Sequence, residues 1–241
     1  MRLLTYNIHK GIGGRDRRYS LERIVEVVRA ERPDLVCFQE VDRNVGRSHH
    51  HDQPVLLAER LSMSARLFQL NVPVRRGGYG NLLLSRWPIR RQHHVSLRLG
   101  KRKPRGGQIA VVETPEGPLC VVNWHLGLSG RERHWQTHHL LDHPLFAECA
   151  ALPTVIAGDT NDWRNRLARG PFADHGFIQV THPRQRFRSF PATLPVLALD
   201  KVFVRGRVAV GHVRTVHHHL ARRASDHLPL VVDFHIADGH T

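Results

Sequence analysis

Polar side chains able to hold a cation or move a proton recur in this chain at the ends of apolar runs: Asn7, Glu40, His125, Asp159 with Asn161, Asp200, and Asp226 with His227. The densest instance is Val155-Ile156-Ala157-Gly158-Asp159-Thr160-Asn161-Asp162. An apolar run that stops at a glycine reads as a buried strand delivering its last side chains to a cleft. Side chains two apart on an extended segment point the same way, so if the strand persists through Thr160, Asp159 and Asn161 converge on one point. There a carboxylate can take a proton from water while a carboxamide orients it. The competing reading, which this stretch alone does not exclude, is a strand followed by an Asx turn. Singly, the other residues also have plain readings: turn residues for Asn7 and Asp200, a solvated strand end for Glu40, a core histidine for His125. Jointly they point to one site, because buried carboxylates need partners or a cation and open sheets place ligands beyond strand ends.

The elements that must position them follow from periodicity. Leu3 to Ile8 reads as a strand reaching Asn7, followed by a basic, glycine-rich loop from His9 to Arg18. Ser20 caps a predicted helix through about Ala30, with Leu21, Ile24, Val27 and Val28 on one face. Asp34 to Glu40 is the next predicted strand, and a short helix is expected from Pro54 to about Met63. Leu82 to Ser85 and Val95 to Leu99 read as strands, and Ile109 to Glu113 with Leu119 to His125 as a hairpin around Pro115-Glu116-Gly117. Ser129 and Glu132 form a capping-box pattern that opens a helix expected to reach about Cys149. After the Asp159 strand come a loop-rich stretch, a strand from Leu199 to Val204 and a closing strand from Leu228 to Phe234. No repeat or linker divides the chain, so residues 1–241 read as one domain.

With 41% hydrophobic and 24% charged residues the composition is that of a globular protein, and no apolar run approaches the ~18 residues of a membrane span. The N-terminal apolar stretch is too short for a signal peptide, which predicts a cytoplasmic protein. Cys37, Cys120 and Cys149 sit far apart in apolar runs and read as buried thiols. The formal net charge of +15 favours a polyanionic partner, either nucleic acid or an anionic lipid surface. That preference is tempered because lysine is confined to Lys10, Lys101, Lys103 and Lys201. An arginine skew of this kind can arise from genome composition. The loop Lys101 to Arg105 and the arginines Arg15, Arg17 and Arg18 could track a phosphate backbone or simply be solvated. The tracts His49-His50-His51 and His217-His218-His219 lie in predicted loops without metal-ligand spacing.

The segments Thr5-Tyr6-Asn7-Ile8, Phe38-Gln39-Glu40-Val41, Gly80-Asn81-Leu82-Leu83-Leu84-Ser85, Asn123-Trp124-His125-Leu126, Gly158-Asp159-Thr160-Asn161, Leu199-Asp200-Lys201-Val202 and Ser225-Asp226-His227-Leu228-Pro229 span nearly the whole chain. In these the sequence closely resembles the endonuclease/exonuclease/phosphatase family, which includes apurinic endonucleases, deoxyribonucleases, sphingomyelinases and inositol polyphosphate phosphatases. The final Ser-Asp-His-Leu-Pro carries most of the specificity. The resemblance implies an α/β fold, a four-layer αββα sandwich of two packed mixed β-sheets with flanking helices. It implies Mg²⁺ or Mn²⁺ held chiefly by Glu40, with Asn7 nearby and Asp226 as a further ligand. Asp159 then deprotonates or positions the attacking water, helped by Asn161. His227, oriented by Asp200, contacts a phosphoryl oxygen, with His125 as a second contact. Asn81, Tyr79, Arg131, Arg133 and His9 fall on the substrate side. His9 stands where some nucleases of the family have an acidic residue, and a solvated helix face is the competing reading for Arg131 and Arg133.

These readings predict a metal-dependent hydrolase of phosphate esters, first of all a nuclease or phosphodiesterase acting on nucleic acid. The alternative is a phosphoesterase acting on a phospholipid head group or a small phosphorylated metabolite. A catalytically silent binding module is disfavoured, since every expected catalytic position holds competent chemistry.

Overall fold

The computed structural model describes residues 1–237. Its strands, in chain order, are β1 (Arg2–Asn7), β2 (Leu35–Arg43), β3 (Ala65–Val74), β4 (Gly77–Ser85), β5 (Ile89–Ser96) and β6 (Gly106–Thr114). They continue with β7 (Gly117–His125), β8 (Thr154–Asp159), β9 (Ile178–Gln179), β10 (Asp200–Arg205), β11 (Val208–Thr215) and β12 (Leu230–Ile236). The helices are α1 (Leu21–Glu31), α2 (Gln53–Arg60), α3 (Gly130–Leu141), α4 (Pro144–Ala147), α5 (Pro171–Asp174) and α6 (His219–Ala224).

The strands form two six-stranded sheets, ordered β11-β12-β1-β2-β4-β3 and β5-β6-β7-β8-β10-β9. Each has the same centre: a parallel pair, β1–β2 or β7–β8, flanked by antiparallel strands. Strands buried on both faces need apolar residues at every position, and alternate side chains then divide between two cores. Leu3, Leu35, Cys37, Val121, Val155 and Ala157 meet between the sheets. Leu4, Tyr6, Val36 and Phe38 pack under α1, α2 and α6, while Val122, Trp124 and Ile156 pack under α3, α4 and α5. Helix, sheet, sheet and helix therefore make the four layers expected.

At one end the space between the sheets turns from aliphatic to amide. Gln39 Nε2 donates to Thr5 Oγ1 at 3.2 Å and Asn123 Oδ1 at 2.8 Å, and Asn123 Nδ2 donates to Phe38 O at 3.0 Å and Gln108 Oε1 at 2.8 Å. These buried amide bonds fix the two sheets to each other in register, since any sliding would break them in a place water does not reach. This end carries the polar strand termini.

Several elements depart from the sequence reading, each for a physical reason. Periodicity does not reveal β3 and β11, which are edge strands whose residues are largely half-buried or exposed and so lack an apolar run. β5 spans Ile89–Ser96 rather than Val95 to Leu99, because its arginine- and histidine-rich first half is a half-solvated edge strand. Ser129 caps α3 as predicted, accepting from Glu132 N at 3.2 Å, but the helix stops at Leu141 and Pro144 opens a separate turn. Among the described residues no helix is long and apolar enough to cross a membrane.

Candidate active site

Strand direction brings the polar termini together. Asn7 ends β1, His125 ends β7 and Asp159 ends β8, while Asp200 opens the antiparallel β10 and His227 precedes the antiparallel β12. The ladder sets Asp159 between His125 and Asp200, its partners on either side. Gly158 permits this approach: its φ is +146°, and a Cβ there would stand 2.1 Å from the Trp124 carbonyl oxygen.

Asp159 Oδ2 is the point of convergence. Asn7 Nδ2 donates to it at 3.1 Å, His125 Nε2 lies 3.3 Å away and His227 Nε2 3.7 Å away. Burial raises the Asp159 carboxyl above its usual range, opposed chiefly by the nearby His227 cation.

The two imidazoles differ in charge. His227 Nδ1 donates to Asp200 Oδ2 at 2.8 Å, and the same oxygen accepts from Ser189 Oγ at 2.5 Å. Burial opposes charge on His227, but Asp200 and Asp159 outweigh it and lift its pKa to about 10. His227 is thus an imidazolium whose second N–H is aimed at the Asp159 side of the cleft. The partner of His125 is instead a guanidinium, Arg105 Nη1, at 3.2 Å from Nδ1. Arginine can only donate, so Nδ1 accepts and the ring proton sits on Nε2, facing Asp159. Burial and the Arg105 charge push the His125 pKa well below its usual value. In the fold His125 is neutral, and the buried cation beside it is Arg105.

Glu40 sits at a bulge in β2 with φ of +56°. Burial disfavours its ionisation, but the Lys10 and Lys103 cations outweigh it and hold the carboxyl below its usual range. Lys10 Nζ is paired directly with Glu40 Oε2. Lys10 and Lys103 also lie over the Tyr79 ring, 5.2 and 5.5 Å from its centroid, with the Arg47 guanidinium at 5.2 Å. Tyr79 is therefore a buried platform for cations. Asp226 is half-buried, 4.0 Å from His9 Nε2. His9 Nδ1 pairs with the Ile12 carbonyl at 3.0 Å, and its backbone N–H occupies Asn7 Oδ1 at 3.1 Å.

Other expected site residues are engaged elsewhere. Strand geometry ends at Asp159: Asn161 has φ of +50°, its N–H donates to Asp159 Oδ1 at 2.9 Å, and its side chain donates to Leu126 O at 2.9 Å. The Asx-turn reading describes that loop. Asn81 is buried and donates to Gly106 O at 2.8 Å, away from any open surface. Arg131 is exposed, whereas Arg133 is buried, its Nη1 bonded to Leu128 O at 2.6 Å and its Nη2 3.9 Å from Asp162. Arg133 thus braces the loops beneath Asn161 instead of forming a solvated face. The histidine tracts have structural uses: His51 pairs with the Tyr19 hydroxyl at 2.8 Å, and His218 caps α6 by accepting from Ala221 N at 3.2 Å. Arg105, Lys10 and Ser189 were not singled out by sequence reasoning; only membership of a basic loop pointed to Arg105.

The profile of the Endonuclease/Exonuclease/phosphatase family matches residues 4–227, from β1 through His227. The chain belongs to this family. It is similar to the uncharacterized protein YbhP of Escherichia coli (strain K12), 30% identical over 252 residues, covering 98% of this chain and 96% of that protein. Among solved structures of the family, the endonuclease/exonuclease/phosphatase from Beutenbergia cavernae superposes with a TM-score of 0.80 at 26% identity, over 98% of this chain and 72% of that one. The fold is also that of the human Nocturnin catalytic domain with bound sulfate, with a TM-score of 0.76 at 21% identity over 98% of this chain and 93% of that one. Family membership places this chain among phosphoesterases.

Proposed function

We propose that the protein hydrolyses a phosphodiester, with nucleic acid as its substrate and Mg²⁺ or Mn²⁺ as its cofactor. The observation that supports this most is the asymmetric setting of Asp159, a buried carboxylate with a raised pKa between a charged and a neutral imidazole. Asp159 accepts a proton from water as the water oxygen bonds to phosphorus. The ester P–O bond opposite breaks, and the leaving oxygen takes its proton from solvent. His227, already cationic, donates to a non-bridging oxygen as charge accumulates there, and Arg105 adds positive potential behind His125.

The donor set suits a hard cation. Glu40 is ionised and largely buried, Asp226 is a half-buried carboxylate, and Asn7 Oδ1 accepts one bond from His9 N–H and keeps a second lone pair. Glu40 and Asp226, with Asn7 beside them, are the residues that would hold the ion, which would supply charge neutralisation at the phosphate. Lys10 Nζ pairs with the Glu40 carboxylate and so competes with an ion for its charge. Replacing it, as Lys10→Met, is expected to tighten Mn²⁺ binding roughly tenfold, the scale of one charged hydrogen bond of ~1.5 kcal/mol. Calorimetric titration of Mn²⁺ checks this, and unchanged or weaker binding contradicts it.

The reading is tested by Mg²⁺- or Mn²⁺-dependent hydrolysis, by wild type and Asp159→Asn, of single-stranded DNA, duplex DNA, RNA, anionic phospholipid and inositol phosphates. Cleavage of a nucleic acid that the variant loses supports it. Turnover of the lipid or inositol phosphates alone assigns the alternative substrate class.

A further inference from the structure

Beyond the catalytic groups, the chain from Trp163 to Arg188 carries Arg164, Arg166, Arg169, Arg184, Arg186 and Arg188 against a single acidic residue, Asp174. Arg164, Arg166, Arg169, Arg184 and His182 line a cavity of about 470 Å³ that has no carboxylate in its wall. A neighbouring cavity of about 220 Å³ shares Arg184 and adds Trp163, Arg188 and Val196. Among the described residues, none of these arginines is ion-paired with a carboxylate.

An arginine-rich composition alone does not produce this arrangement. The cavity of about 640 Å³ at the start of β1 is also lined by arginines, Arg2, Arg32 and Arg86, but Asp233 and Asp34 line it too. Arg2 pairs with Asp233 at 2.6 Å and Arg86 lies 3.7 Å from Asp34. There two of the three arginines have a carboxylate partner. Around Trp163 the arginines have none among the described residues, and several cations held around one concavity raise the local potential toward anions.

We propose that the trough around Trp163 is a binding track for a single-stranded nucleic acid, with backbone phosphates in the arginine-lined cavity and a base stacked on the indole. The chain ties the track to the Asp159 strand: Trp163 follows the Asn161 turn, and Leu197 and Ala198 in its wall lead into Asp200. Trp163 is 45% exposed, with the Arg164 guanidinium 4.5 Å from its ring. Its carbonyl accepts from Arg184 Nη1 at 2.8 Å, which fixes the loop. An aromatic side chain flanked by guanidinium groups is the pairing that holds unstacked bases and their phosphates. A lipid surface would instead ask for a convex apolar protrusion, whereas Trp163 and its arginines line concavities. The track rests on the proposed activity and narrows its substrate to a single strand.

The test is fluorescence anisotropy of a short fluorescein-labelled oligothymidylate in EDTA, where binding is measured without cleavage, run at several salt concentrations. Trp163→Ala is expected to weaken binding roughly 5- to 150-fold, the equivalent of ~1–3 kcal/mol per stacked base, and Trp163→Phe to restore most of it. Arg166 and Arg169 are both exposed, and replacing them together, Arg166→Glu with Arg169→Glu, is expected to lower the salt dependence of log affinity by about 0.7 for each phosphate they neutralise. Melting curves confirm that each variant is folded. Oligonucleotide affinity and salt slope unaltered in these variants would overturn the proposal. So would their loss of binding to phosphatidylcholine/phosphatidylglycerol vesicles by a wild type that ignores the oligonucleotide. Wild-type hydrolysis of bis(p-nitrophenyl) phosphate, measured alongside, reports on the activity separately: turnover without tryptophan-dependent binding sinks the track alone, and binding without turnover sinks the activity alone.

Discussion

His125 and His227 approach the same oxygen of Asp159, one from the end of β7 and the other from the segment before β12, and they differ in one partner. His227 has Asp200 behind its Nδ1 and is held cationic; His125 has Arg105 there and is held neutral. Both rings are buried to the same degree, so burial does not separate them. What separates them is the sign of the charge on the far nitrogen. An anion behind an imidazole favours the doubly protonated form, and a cation behind it excludes that form and selects the tautomer as well. Asp159 consequently faces one charged donor and one neutral donor, an arrangement suited to taking a proton while a neighbouring group carries positive charge to the phosphate.

Removing the shared oxygen breaks the comparison most severely. Asp159→Asn is expected to cut turnover by about 10²–10⁴, the range of positioned proton transfer, with metal affinity largely kept. A loss below tenfold would remove Asp159 from the chemistry. Asp200→Asn comes next: without its counter-ion His227 loses its proton at much lower pH, so the alkaline limb of the rate profile moves down from about 10 toward neutrality. An unmoved alkaline limb means that His227 does not carry the active charge. The mirror change, Arg105→Gln, lets the His125 pKa rise toward its usual ~6.5, so the effect appears on the acid side and is smaller at neutral pH.

The smallest expected effect is on stability. A histidine with a raised folded pKa stabilises fully below its unfolded value of ~6.5 and loses that contribution as pH rises through the folded value, here about 10 for His227. For His125 the folded pKa is depressed, so its contribution is present above ~6.5 and is lost as pH falls below that point. Urea melts across this span should therefore show Asp200→Asn flattening the alkaline slope and Arg105→Gln flattening the acid slope. Interchanged effects would contradict the assignment of charges.

The sequence disclosed what depends on buried periodicity. β1, β2, β7, β8 and β10 lie deep in their sheets, so their apolar runs and the polar residues that end them were legible, and Asn7, His125, Asp159, Asp200 and His227 came together as expected. The edge strands β3 and β11 were not legible, because half-solvated strands carry no comparable pattern. Loop geometry was hidden for a different reason. The side-chain direction of Asn161 depends on a single backbone torsion at +50°, and that of Asn81 on which strand crosses it. Arg105 looked like one more cation in a basic loop, since its pairing with His125 spans 20 residues and appears only once β6 and β7 are laid side by side. Lys10 was obscured in the same way by the turn that returns it to Glu40.

The unequal charge on the two histidines is tested most directly by ¹⁵N chemical shifts of the histidine rings across pH, in wild type and in Asp200→Asn. The expected result is one ring, His227, with both nitrogens protonated up to about pH 10, and another, His125, that stays neutral with its proton on Nε2 well below the usual imidazole value of ~6.5. In Asp200→Asn the first signal should titrate near neutrality while the second is unmoved. Two rings titrating together near ~6.5 in the wild type would contradict the account.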